Sequence, residues 1–246
     1  MSTSDSISSD GLEPLQHFTS NAVTGVLTPE RTTVLAQLAD LIAARRRPKS
    51  VLRVGIDGVD GVGKSALGDD LAGTLRARGL SVVRASVDRF HHPASTRYQR
   101  GRGSSLGFYE DSYDYESIWR ELLEPLGPNG SRRYRTAVYD VQRERPVRQQ
   151  PRLATGDAVL VVDGIFLHRP ELRDAWDWSV FVRVPFATSV PRGASRGYGH
   201  PDPAHPSNQR YVEGQRLYLA ACDPEGKADV VIDNTDLARP IVVRTR

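Results

Sequence analysis

Residues 58–65 read Gly-Val-Asp-Gly-Val-Gly-Lys-Ser and follow directly on the apolar run Val51-Leu52-Arg53-Val54-Gly55-Ile56. A G-x-x-x-x-G-K-S segment between a strand and a helix is a phosphate-binding loop. Its glycines let the backbone curl so that successive N–H groups face one anion, and the helix presents its positive dipole end to the same anion. This fixes a strand–loop–helix unit and, with it, the expectation of an α/β sheet. In this pattern Lys64 reaches the β- and γ-phosphates and the Ser65 hydroxyl ligates Mg²⁺. Gly58, Val59, Asp60, Gly61, Val62 and Gly63 are the expected ATP-binding backbone beside Lys64 and Ser65. Composition sharpens the reading, because only Lys49, Lys64 and Lys227 are lysines among 33 Lys and Arg.

The remaining chain alternates strands and helices. Residues 1–27 are polar and Ser-rich and are expected to form a flexible extension; 28–246 are expected to form one domain. Thr28 and Pro29 predict the start of a helix with Val34, Leu35, Leu38, Leu41 and Ile42 on one face. Strands are expected over 51–57, 81–87, 158–163, 178–184 and 228–232, with helices over 64–78, 114–123 and 208–221. The stretch 89–111 shows neither period and reads as a long functional loop, and 132–152 as a hairpin or lid. The fold class is a doubly wound, mostly parallel sheet flanked by helices, with a lid. The net charge of +3 gives little support for nucleic acid, and the single cysteine excludes an intramolecular disulfide. No run is long and apolar enough for a membrane span, so a cytoplasmic protein is expected; homo-oligomerisation is left open.

Several residues carry candidate chemistry. Asp88 follows the strand after the loop helix, where a carboxylate can take a proton from an acceptor hydroxyl, so Lys64 and Asp88 are the candidate catalytic pair. Phe90, His91 and His92 follow as groups able to touch a substrate, and the adjacent histidines lack a third metal ligand at a convincing spacing. Asp163 ends the most apolar strand and precedes Gly164, the placing of an acid that organises Mg²⁺ with Ser65. Arg192 and Arg196, four residues apart, are candidates to close over the phosphates, although Pro191, Gly193 and Gly197 make a poor helix.

In order, these motifs, with Val138-Tyr139-Asp140-Val141, Val162-Asp163-Gly164-Ile165-Phe166, Leu172-Arg-Asp-Ala-Trp and Tyr211-Val-Glu-Gly-Gln, resemble the uridine kinase, phosphoribulokinase and pantothenate kinase superfamily. The likeness is greatest to uridine kinase and covers about residues 30–235. It implies ATP-dependent phosphorylation of a hydroxyl on a small molecule, a nucleoside first, with Mg²⁺. It also implies that Asp88 is the base, that Tyr139 and Asp140 face the nucleoside, and that Arg192 and Arg196 belong to the lid. Glu144 stands where uridine kinases usually carry histidine, and with Phe90, His91, Tyr139 and Asp140 it is expected to line the acceptor site. The lid arginines are sparser than usual, and Asp163 replaces a glutamate. Alternatives are a pantothenate kinase-like or other metabolite kinase, a thymidylate kinase-like enzyme, or a nucleotide-binding regulator without catalysis. A switch GTPase would need Asn-Lys-x-Asp, and Asn234-Thr235-Asp236 lacks the lysine.

Overall fold

The protein is described by a computed structural model over residues 27–246. All of the proposed extension except Leu27 lies outside the described residues. Helix α1 (Pro29–Arg45) starts as its sequence dictates. The Thr28 hydroxyl accepts from the Arg31 N–H, Pro29 occupies the first turn, and Val34, Leu35, Leu38 and Ile42 are buried.

Six strands make the main sheet: β1 (Leu52–Asp57), β2 (Val82–Ser86), β7 (Val159–Gly164), β8 (Trp178–Arg183), β9 (Val230–Asp233) and β10 (Ile241–Thr245), in the order β10-β9-β8-β1-β7-β2. All pairings are parallel except β9 with β10. β1 and β7 are buried at every residue, because helices cover both faces and a central parallel strand has no solvent side. One layer packs α1 and α2 (Lys64–Ala77) on Val54, Ile56, Val159, Val161 and Val180. The other packs Ile118, Leu122, Phe108, Phe166 and Tyr218 on Val83, Ala85, Leu160 and Val162. β10 was not anticipated. It is an edge strand with alternating exposure, and Arg244 and Thr245 blunt its end.

The stretch 89–111 is not the irregular loop that its sequence suggested. It holds α3 (Ala94–Arg97) and α4 (Ser105–Asp111), the latter capped by Ser104, whose hydroxyl accepts from the Gly107 N–H at 3.0 Å. Helices this short carry no detectable period; α4 is fixed by tertiary packing of Phe108 against α7 (Gln209–Cys222). Asp114 caps α5 (Tyr115–Ile118) as expected, which continues as one π-helical turn to Leu123. Residues 132–152 form nested ribbons, β3 (Arg133–Tyr134) with β6 (Arg152–Leu153) and, inside them, β4 (Tyr139–Asp140) with β5 (Arg145–Pro146). Residues 186–194 do form a helix, α6 (Phe186–Ala194), in spite of Pro191. Among the described residues no helix is long and apolar enough to cross a membrane.

Candidate active site

β1 has β7 on one side and β8 on the other, and the chain fills the β7–β2 half before crossing to the β8–β10 half, so the crevice at the carboxyl end of β1 is a natural ligand position. The loop 58–65 sits there. Gly58, Gly61 and Gly63 have positive φ (151°, 77° and 93°), as a loop curling its N–H groups inward requires. The Val59 and Val62 side chains are buried in the core, so these two residues offer an anion only backbone. A Cβ on Gly61 would stand 2.1 Å from the Ser189 carbonyl oxygen: α6 lies directly on the loop. Lys64 is buried, its Nζ donating to the Val59 carbonyl at 2.8 Å and lying 3.8 Å from Asp60 Oδ1.

Ser65 and Asp163 meet as expected, the hydroxyl donating to Asp163 Oδ2 at 2.6 Å. The other carboxylate oxygen, buried and without an aligned hydrogen bond, has the Arg84 guanidinium 2.6 Å away. Sequence reasoning missed Arg84. It follows from strand alternation, since pairing Ser86 with Asp163 turns Arg84, Ser86 and Asp163 to the α2 side. Gly68 on α2 leaves room for it; a Cβ there would stand 2.7 Å from its Nη2. Burial alone would lower the Arg84 pKa, but Asp163 and then Asp69 raise it overall, so Arg84 is a permanent cation beside the acid. A hydroxyl and a carboxylate are hard oxygen donors that fit Mg²⁺. Among the described residues no group of three or more His, Cys, Asp or Glu could hold a metal, so the ion would take its other ligands from phosphate and water.

Asp88 lies just past β2 in a single 3₁₀ turn, at the same sheet end as Asp163. Its Oδ1 accepts from the Tyr113 hydroxyl at 3.0 Å. Burial, then the charges of Asp88 and Asp60, push the Tyr113 phenol well above its ordinary range, so it is a fixed donor. His91 packs on Tyr113 at a tilt of 42° with centroids 4.5 Å apart, and its Nδ1 lies 2.9 Å from the Asp88 carbonyl. His91 also lines a narrow niche of about 10 Å³, room for about one water, with Arg97, Tyr98, Phe108, Ser112, Arg210 and Tyr211.

The other expected acceptor residues are placed differently. Phe90 is fully buried in the core and cannot touch a substrate: it is the apolar residue whose side chain turns inward as His91 turns to the cleft. Glu144 pairs with Arg97, and its Oε2 accepts from the Tyr139 hydroxyl and the Ala94 N–H, each at 3.1 Å. Asp140 accepts from the Gln142 and Arg143 N–H groups and binds the Arg143 guanidinium at 2.7 Å, holding the β4–β5 turn. Tyr139, Asp140 and Glu144 thus satisfy one another and their neighbours and anchor the hairpin to α3.

Arg192 and Arg196 are not two positions on one helical face. Arg192 lies in α6 and donates to the Asn234 and Thr235 carbonyls, whereas Arg196 lies beyond the helix end, closed by Gly197 at φ 90°. Burial and then the neighbouring Arg196 lower the Arg192 pKa. The Asn234 side chain donates to the Val62 carbonyl at 2.7 Å, a brace on the phosphate loop.

Behind the loop lies a buried polar group that the sequence did not reveal. Asp57, with no exposed surface, accepts from the Gly58 N–H at 2.7 Å, from the Tyr218 hydroxyl and from His168 Nδ1 at 2.6 Å. His168 Nε2 lies 3.2 Å from Ser179 Oγ, which reaches Asp229. The set ties the first loop amide to α7 and to the segment after β7. Asp57→Ala would leave three buried donors without their acceptor. Unfolding in urea should show a loss on the order of 3 kcal/mol, at ~1–3 kcal/mol for each unsatisfied group with some relaxation. A loss below about 1 kcal/mol would mean that water replaces the carboxylate.

No family model and no curated protein matches the sequence. Solved structures do. A possible uridine kinase from Bacillus stearothermophilus is 23% identical, with 81% of this chain and 97% of that one covered and a TM-score of 0.64. A Silicibacter protein described as a candidate fructose transport system kinase is 24% identical, covering 76% and 95%, with a TM-score of 0.61. D-glycerate 3-kinase from Cryptococcus neoformans is 12% identical, covering 87% and 98%, at 0.57. The fold is that of P-loop kinases of the uridine kinase and phosphoribulokinase type. At these identities the likeness is one of fold.

Proposed function

We propose that the protein is an ATP-dependent phosphotransferase that places the γ-phosphoryl group on a hydroxyl of a small molecule. What carries the reading is the convergence of Lys64, the Ser65–Asp163 pair and Asp88 at the carboxyl edge of β1, β7 and β2. Loop amides and the α2 N-terminus bind the phosphates, and Lys64 follows the charge that moves with the transferring group. Ser65, oriented by Asp163, would hold Mg²⁺, which neutralises phosphate charge when bound. Asp88, held by Tyr113, aims the acceptor hydroxyl in line and takes its proton. Catalysis is then chiefly positioning and charge neutralisation.

A nucleoside acceptor rests on the resemblance to uridine kinase. Glu144 gives it no support, because its oxygens are engaged by Arg97, Tyr139 and the Ala94 amide. The test is ADP release with ATP-Mg²⁺ over nucleosides, pantothenate, hydroxy acids and sugar alcohols and their phosphates, with the phosphorylated product identified. Tight ATP binding with no acceptor phosphorylated would favour the non-catalytic regulator.

A further inference from the structure

Four oxygens face the Arg84 guanidinium. Its Nη1 lies 2.6 Å from Asp163 Oδ1 and donates to the Ala85 carbonyl, Nε donates to Asp69 Oδ1 at 2.9 Å, and Nη2 donates to the Ser65 carbonyl at 3.2 Å. Two carboxylates and two carbonyls are hard oxygen donors of the kind that surround small cations, and here the cation is a side chain. The strand period puts it there. Val83 and Ala85 face the core while Arg84 turns to α2, into the space that a Cβ on Gly68 would fill.

The consequence falls on Ser65, whose hydroxyl is the metal donor in the kinase reading. Its proton goes to Asp163 Oδ2 at 2.6 Å and its carbonyl accepts from Arg84, so one guanidinium fixes both ends of the residue. Asp163 is 1% exposed, and a carboxylate so deep needs a positive partner. Arg84 meets that need. A divalent ion arriving alone would exchange its water for an acid already neutralised, whereas an ion carried by a triphosphate brings its own negative ligands. Resting on the kinase reading above, we infer that Arg84 is a positioning residue: it aims Asp163 at Ser65 and holds the place of a cation between Asp163 and Asp69, so that the site takes up Mg²⁺ together with nucleotide and not alone.

The experiment measures binding of Mn²⁺, a paramagnetic substitute for Mg²⁺, by its EPR signal without nucleotide, beside thermal melting with and without Mg²⁺. Wild type should bind Mn²⁺ alone more weakly than about 1 mM and melt at the same temperature with Mg²⁺ as without it. Tighter binding by the wild type overturns the inference, and that arm needs no variant to fold. Arg84→Gln should bind Mn²⁺ alone at least about tenfold more tightly than wild type, because two carboxylates lose the positive charge between them. It should also melt lower, and Mg²⁺ should restore part of the loss. Arg84→Lys keeps a charge in place and should stay within about threefold of wild type in Mn²⁺ affinity. Adding Asp163→Asn to Arg84→Gln should abolish the gain; a gain that persists there belongs to Asp69 and overturns the inference. A merely structural arginine would give a glutamine variant with a lower Tm and no new metal affinity, which overturns it as well. None of these arms uses an acceptor, so an acceptor panel without phosphorylated product strikes the kinase reading, while the Mn²⁺ affinities decide for or against Arg84 on their own.

Discussion

Asp88→Asn is expected to bind ATP within about twofold of the wild type and to lose ~10²–10⁴-fold in kcat, the range for removal of a positioned general base. The substitution keeps shape and keeps an oxygen to accept from the Tyr113 hydroxyl, which is 3.0 Å away and held protonated by burial and by Asp88 and Asp60. What is lost is the negative charge and the ability to take a proton. The phosphate loop is a separate segment braced by Asp57, Asn234 and Gln215, so nucleotide affinity has no reason to change. ATP titration beside steady-state turnover checks both halves. A kcat within a few-fold of the wild type would reduce Asp88 to a partner of Tyr113 and remove the base from the mechanism.

The parts of the fold and site that the sequence made legible are those whose signal is contiguous. The loop 58–65, the Thr28–Pro29 helix start and the apolar runs of β1, β7 and β8 each carry their information within a few residues. Asp163 was readable because a carboxylate closing an apolar strand has few other uses. The missed groups act across the chain: His168 and Asp57 are separated by 111 residues, and Arg210 and the Arg97 carbonyl by 113. No local pattern encodes such pairs; strand register and helix packing bring them together. Tyr139 and Glu144 bind each other across a turn, a contact that their spacing alone does not specify. Helices α3 and α4 were hidden because one or two turns are too short to display a period.

Helix α6 closes one side of the loop. Ser189 stands against Gly61, and Arg192 fixes the same helix to the carbonyls after β9. The buried Asp57 group fixes the floor of the loop from the other side.

Lys64→Ala should lower kcat by ~10²-fold or more, because it deletes a charge whose contact strengthens as the phosphoryl group moves. In this structure Nζ rests on the Val59 carbonyl at 2.8 Å and near Asp60, so the lysine also holds the loop in shape before nucleotide arrives. Alanine therefore removes the charge, the Nζ contacts and the buried stem, whereas Lys64→Met keeps the stem alone, so the pair tells the loss of Nζ from the loss of packing. If the charge carries the effect, both variants should melt within a few degrees of wild type and share the loss in kcat. Arginine should not restore activity, since its planar fork cannot occupy the space of a compact ammonium group surrounded by loop backbone. A methionine variant retaining more than about a tenth of wild-type kcat would show that transition-state charge is neutralised elsewhere, and the role assigned to Lys64 would fall.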